Sequence, residues 1–128
     1  MYAIDKYTPA ISIDLDNGIY IFDCESATGK TRLCKELRKL QAYGEPVASY
    51  TYDDLLVGLP VDNIFDSNKN KVIMLDRYDL YKDMWHDKIQ ECSKNSIILI
   101  DCKGEFSATD NDEICFIEMT ADRIEVIQ

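Results

Sequence analysis

The residues best suited to chemistry stand together in Glu25-Ser26-Ala27-Thr28-Gly29-Lys30-Thr31-Arg32. They follow most of the pattern G-x-x-x-x-G-K-[ST]. In that pattern successive backbone N–H groups cradle phosphate oxygens, the lysine reaches the terminal phosphates and the hydroxyl ligates Mg²⁺. Gly29, Lys30 and Thr31 are in order, but Cys24 occupies the first glycine position. A Cβ is tolerated there only at negative φ, so the expected effect is a weaker cradle and not its loss. Asp76 follows the apolar run Val72-Ile73-Met74-Leu75, where a carboxylate can hold Mg²⁺ opposite the Thr31 hydroxyl. Asp79 and Asp101, placed near the ends of apolar runs, are the candidates for orienting water, and Asp79 serves equally well as a helix N-cap.

The elements that must position these residues are legible from periodicity. Ile11, Ile13 and Leu15 alternate with polar residues, as in a half-buried strand, and Asn17-Gly18 is a strong hairpin signal. Ile19-Tyr20-Ile21-Phe22 is continuously apolar, as expected of a strand covered on both faces, and the glycine-lysine-threonine segment follows it directly. Leu33, Cys34, Leu37 and Leu40 recur at helical spacing over 30–43, with Gly44 and Pro46 as a stop. A helix opening at this segment adds free N–H groups and partial positive charge to an anion site. Further strands are expected at 47–52, 72–75 and 97–100, with a short helix near 53–57 and a longer one over 79–94. His86 falls on the wet side of that longer helix. Residues 61–71 and 103–112 read as polar loops, residues 1–9 as a lead-in, and 114–119 with 123–127 as a closing hairpin. Strands alternating with helices imply right-handed crossovers and parallel pairing.

In this context the chain resembles the P-loop NTPases of the AAA+/ABC-like division, in minimal form and with a degenerate Walker A motif. Cys24 to Leu33 is similar to the phosphate loop, and Val72 to Asp76 to the Walker B strand. Ile97 to Asp101 matches the strand that ends in a polar sensor residue. The resemblance implies one nucleotide-binding domain over residues 1–128, with a mainly parallel sheet flanked by helices and a β-hairpin at each terminus. It implies Mg²⁺ with ATP, in preference to GTP or another nucleoside triphosphate, and hydrolysis that is slow or activated by a partner. The site implied is Glu25 to Arg32 for the nucleotide, with Thr31 and Asp76 on the metal. A protein partner or self-association goes with a chain too short for a lid of its own. Arg77 stands where this division usually carries a catalytic glutamate, which leaves open a non-hydrolysing regulatory module. Asp76-Arg77-Tyr78 is also similar to the Asp-Arg-Tyr element of thymidylate kinases, whose arginine meets a substrate phosphate. Against a kinase, residues 102–113 hold one lysine and no arginine; Arg77 is as well accounted for by an ion pair with Asp76 or Asp79.

Composition narrows the classes. A net charge of −10 argues against sequence-independent nucleic-acid binding. Residues 30–39 nevertheless carry a local +4 (Lys30, Arg32, Lys35, Arg38 and Lys39 against Glu36), leaving −14 on the rest. Lys30 and Arg32 are expected to face phosphate, whereas Lys35, Arg38 and Lys39 also fit a solvated helix face. The five cysteines form no C-x-x-C pair, as expected of reduced thiols and not of a disulfide framework or zinc site. No apolar run exceeds four residues, so no bilayer span is expected, and the first residues lack a signal-peptide pattern. A cytoplasmic protein is the expectation.

Overall fold

The computed structural model describes residues 1–22, 27–58, 64–65, 69–77, 82–101 and 113–128. The strands are β1 (Tyr2–Ile4), β2 (Ala10–Ile13), β3 (Gly18–Phe22), β4 (Val47–Tyr50), β5 (Val72–Leu75), β6 (Ile97–Ile100), β7 (Glu113–Met119) and β8 (Arg123–Ile127). The helices are α1 (Ala27–Ala42), α2 (Tyr52–Leu56) and α3 (Lys82–Cys92). The eight strands of the described residues join one sheet in the order β1-β2-β8-β7-β3-β6-β5-β4. From β7 through β3, β6 and β5 to β4 the neighbours run parallel. Beyond β7 the sense alternates: β7 and β8 are antiparallel, β8 and β2 parallel, β2 and β1 antiparallel.

The expected mainly parallel P-loop sheet flanked by helices is therefore corrected, while the closing hairpin is present as β7 and β8. The sheet is mixed and curls into a half-barrel, with few helices among the described residues. The expected hairpin pairing of Ile11–Leu15 with Ile19–Phe22 fails for an identifiable reason. Ile19 to Phe22 needs cover on both faces and neighbours on both edges, which only a central position supplies. β3 accordingly pairs with β6 and β7 and not with β2. The Asn17-Gly18 signal is used differently: the Gly18 N–H donates to Ser96 O at 3.2 Å and Asn17 Nδ2 to Lys94 O at 3.5 Å. The freed β2 pairs with β8 instead, aligning Ile11 with Ile124 and Ile13 with Val126. The lead-in at 1–9 contributes the edge strand β1.

One face of the sheet packs around α1. Leu33, Leu37 and Leu40 meet Ile11 and Ile13 of β2, Phe22 of β3, Met74 of β5, Leu99 of β6 and Val126 of β8. The other face holds a smaller core in which Ile89 and Cys92 of α3 meet Ile73, Leu75, Ile98 and Ile100. α1 ends in a left-handed cap: Gly44 has φ 88°, its N–H donates to Gln41 O at 3.1 Å and the Glu45 N–H to Leu40 O at 3.0 Å. That is the Schellman arrangement, which needs a residue without a Cβ penalty at this position.

The open edge of β4 is closed by α1 and α2. Ser49 N–H donates to Gln41 Oε1 at 3.0 Å, and Arg38 Nη1 donates to Ser49 O at 3.4 Å. Arg38 is itself gripped by Asp54 through two bonds of 2.6 and 3.0 Å, and Thr51 N–H donates to Asp54 Oδ2 at 2.8 Å. Unpaired strand edges template association, and here side chains occupy the groups a further strand would need. Among the described residues no helix is long and apolar enough to cross a membrane.

Candidate functional site

Alternation along the strands sets the direction of the site. Val72 and Met74 face the α1 core, so Asp76, two residues on, continues that face; Asp101 continues the face of Ile97 and Leu99 in the same way. β5 and β6 are adjacent and parallel, with Leu75 opposite Ile100. Asp76 N–H donates to Tyr50 O at 2.9 Å and Asp101 N–H to Leu75 O at 3.0 Å, which carries the ladder past both strand ends. The two carboxylates therefore stand side by side at the C-terminal edge of the sheet, facing the helix. Burial and a hydrogen bond to the Asp101 carboxylate, with its like charge, push Asp76 up to about 6.

The third member comes from α1. Lys30 lies on the same helix face as Leu33, Cys34 and Leu37, because positions three, four and seven apart coincide on a helix. It is only 7% exposed, unusual for a lysine, and its Nζ lies 2.8 Å from Asp101 Oδ1. An ion pair this sheltered is screened little by solvent. Lys30, Asp101 and Asp76 thus form a connected series: the ammonium holds Asp101, Asp101 meets Asp76, and the charge and backbone N–H of Arg77 act on Asp76.

The other residues singled out by sequence fall as follows. Thr31 is exposed, one step around the helix from Lys30. Ala27 and Thr28 belong to the first turn of α1. Gly29 packs against β7: a Cβ there would lie 3.3 Å from Ile117 Cγ2 and 3.5 Å from Met119 Cε. Its small size therefore serves the close approach of helix to sheet. Arg32 donates to Thr120 O at 3.3 Å and Ala121 O at 3.1 Å, so its guanidinium holds the β7–β8 turn. Lys35 and Lys39 are exposed, and Lys39 meets Glu36 at 3.2 Å. His86 is exposed beside Asp87. Cys24, Glu25, Ser26 and Asp79 lie outside the described residues.

Two features were not anticipated. Arg77 adopts φ 52°, a left-handed conformation uncommon for a side-chain-bearing residue, directly after Asp76. Such strain concentrates at functional sites, and no local sequence signal marks it. The Asp54–Arg38 clamp is the second; Asp54 reads in sequence only as an early acidic residue of a short helix. Cys34 shares a 3.0 Å contact with Ser49 Oγ, and burial raises its thiol above the ordinary value. Cys115 is pushed by burial to about 12, so neither is an activated nucleophile. Among the described residues no three metal-ligating side chains cluster.

Comparison with protein-family models, with curated proteins and with solved structures found no match.

Proposed function

We propose that the chain binds a nucleoside triphosphate with Mg²⁺ at the edge of the sheet where β3, β5 and β6 end, and turns it over slowly or only with a partner. The observation that carries this reading is the buried Lys30 ammonium, held against Asp101 where β6 ends. A lysine driven that far from solvent on the inner face of a helix is costly unless it meets anions. Its place, fourth in a helix that follows β3, is where a phosphate would also meet the helix N-terminus.

The donor chemistry fits the cation. Mg²⁺ takes hard oxygen ligands, keeps several waters, and needs only one or two carboxylates beside substrate phosphates. Asp76 with the Thr31 hydroxyl would hold it, and Mg²⁺ when bound would neutralise phosphate charge. Lys30 would bind and orient the terminal phosphates, and the low exposure of the pair would strengthen that attraction. Asp101 would act on a water. Arg77 in place of a catalytic glutamate is the reason to expect slow turnover. The preference for ATP over GTP rests on the family resemblance alone.

Calorimetry with ATP and with GTP at millimolar Mg²⁺, on the natural chain and on Lys30→Ala, tests the reading. Binding that weakens by about ten-fold or more in Lys30→Ala is expected, the scale of one charge-assisted hydrogen bond. Equal titrations for the two proteins would remove the basis of the proposal.

A further inference from the structure

On the face of the sheet opposite α1, core packing stops before the sheet does. Ile89 and Cys92 of α3 meet Ile73, Leu75, Ile98 and Ile100, and Ile21 of β3 lies half-buried at the margin of that core. Beyond Ile21 the apolar surface continues. Alternation puts Ile114 and Phe116 on the face opposite the buried Cys115, and Ile127 on the face opposite the buried Val126. Register sets Ile21 beside Ile114 and Phe116 beside Ile127. The four side chains make one strip across β3, β7 and β8, in which Ile114 is 58% and Phe116 43% exposed.

We infer that this strip docks another protein, which lays across β7 and β8 an amphipathic helix bordered by lysine or arginine. The inference is independent of the nucleotide reading. β7 is paired with β3 and β8, and β8 with β7 and β2, so neither offers an edge to an added strand. The strip also runs across the strands and not along one. A helix matches it: three strands about 4.8 Å apart span roughly 10 Å, or about two helical turns. α3 covers the neighbouring part of the same face.

Charge selects the partner. Asp14, whose N–H on Val126 O at 2.9 Å extends β2 alongside Ile127, closes one end of the strip. In the next row Glu118 stands directly opposite Glu125. Like charges placed so are destabilising. Arg123 meets Glu125 at 2.6 Å, which leaves three carboxylates against one guanidinium along this border. Ammonium or guanidinium groups on a docked helix offset that excess. A second copy brings the same border and a further charge of −10, and an anionic lipid surface is repelled in the same way.

The test uses a side-chain-stapled helical peptide of about fifteen residues, with leucines at helical spacing on one face and lysines beside them. Fluorescence anisotropy measures its affinity for the natural chain and for Ile114→Ser, Phe116→Ser and Glu118→Lys, each checked for an unchanged circular dichroism spectrum. Expected is saturable binding that weakens about ten-fold or more in the serine variants, and by a smaller factor in Glu118→Lys. A matched peptide with glutamates for the lysines is expected to bind the natural chain more weakly. Absence of saturable binding, equal affinity in Ile114→Ser, or equal affinity of the glutamate peptide overturns the inference. Should Phe116→Ser not fold, Ile114→Ser and Glu118→Lys decide alone. Sedimentation velocity checks the other occupant: a dimer that Ile114→Ser disperses would assign the strip to a second copy and overturn the inference as well.

Discussion

At the scale of single residues, the site shows which signals a sequence holds and which it lacks. Asp76 and Asp101 were legible because each ends a four-residue apolar run, and strand alternation fixes which face such a residue shares. Lys30 was singled out by the Gly29-Lys30-Thr31 sequence. Its pairing with Asp101 was not, because that contact depends on the height of α1 over the sheet, which no local pattern encodes. The same limit applies to Arg32, expected at phosphate but found on the carbonyls of Thr120 and Ala121. The pair has a testable energetic signature. Removing one member of a buried ion pair leaves the other uncompensated, whereas removing both does not. Lys30→Met is expected to lower stability by about 3 kcal/mol in urea denaturation, and Lys30→Met combined with Asp101→Leu to lower it by clearly less. Additive losses would show that the two side chains do not depend on each other.

At the scale of elements, β5, β6 and β8 and the extent of α1 follow closely from periodicity, and the sheet neighbours do not. The Asn17-Gly18 dipeptide carries a local preference for a hairpin. The apolar run after it carries a stronger demand for cover on two faces, and the demand for burial wins. β4 raises a different matter, since all four of its residues are buried although it is an edge strand. Arg38, Gln41 and Asp54 resolve this by bonding its outer backbone groups. Asp54 therefore links acid stability to the edge. Burial alone would raise its carboxyl, but the Arg38 guanidinium and the Thr51 N–H outweigh burial and hold it below the usual carboxylate value. A depressed folded-state value means that the stabilisation is present above the unfolded value of 3.8 and is lost as pH falls through the folded one. Asp54→Asn is expected to be less stable than the natural chain by about 1–3 kcal/mol at pH 7, with the gap closing below about pH 4. Urea denaturation at pH 7, 5 and 3 checks it; a gap of constant size would mean that the carboxylate charge plays no part.

At the scale of the whole molecule, the two faces of the half-barrel are covered unequally. The α1 face draws residues from β2 across to β4 and from β8, so a single helix serves as the filling of the curl. On the other face α3 covers strands from β3 to β4, while β7 presents Ile114 at 58% and Phe116 at 43% exposure. This asymmetry explains why the sheet curls. With, among the described residues, one long helix on one side and a shorter one covering half of the other, a flat sheet would leave more apolar surface in water. Wrapping the strands around α1 removes that surface from solvent, and burial of this kind is the main favourable term in folding. None of it is readable locally, because the closing contact joins β2 to β8 across nearly the whole chain. The architecture makes a sharp contrast between two apolar positions that look alike in sequence. Leu37, fully buried in the curl, is expected to cost about 2–5 kcal/mol when replaced by Ala. Ile114→Ser, on the uncovered face of β7, is expected to change stability by no more than about 0.5 kcal/mol. Chemical denaturation of the two variants measures both. A cost at Ile114 as large as that at Leu37 would mean that the second face is covered, and the half-barrel with α1 at its centre would have to be redrawn.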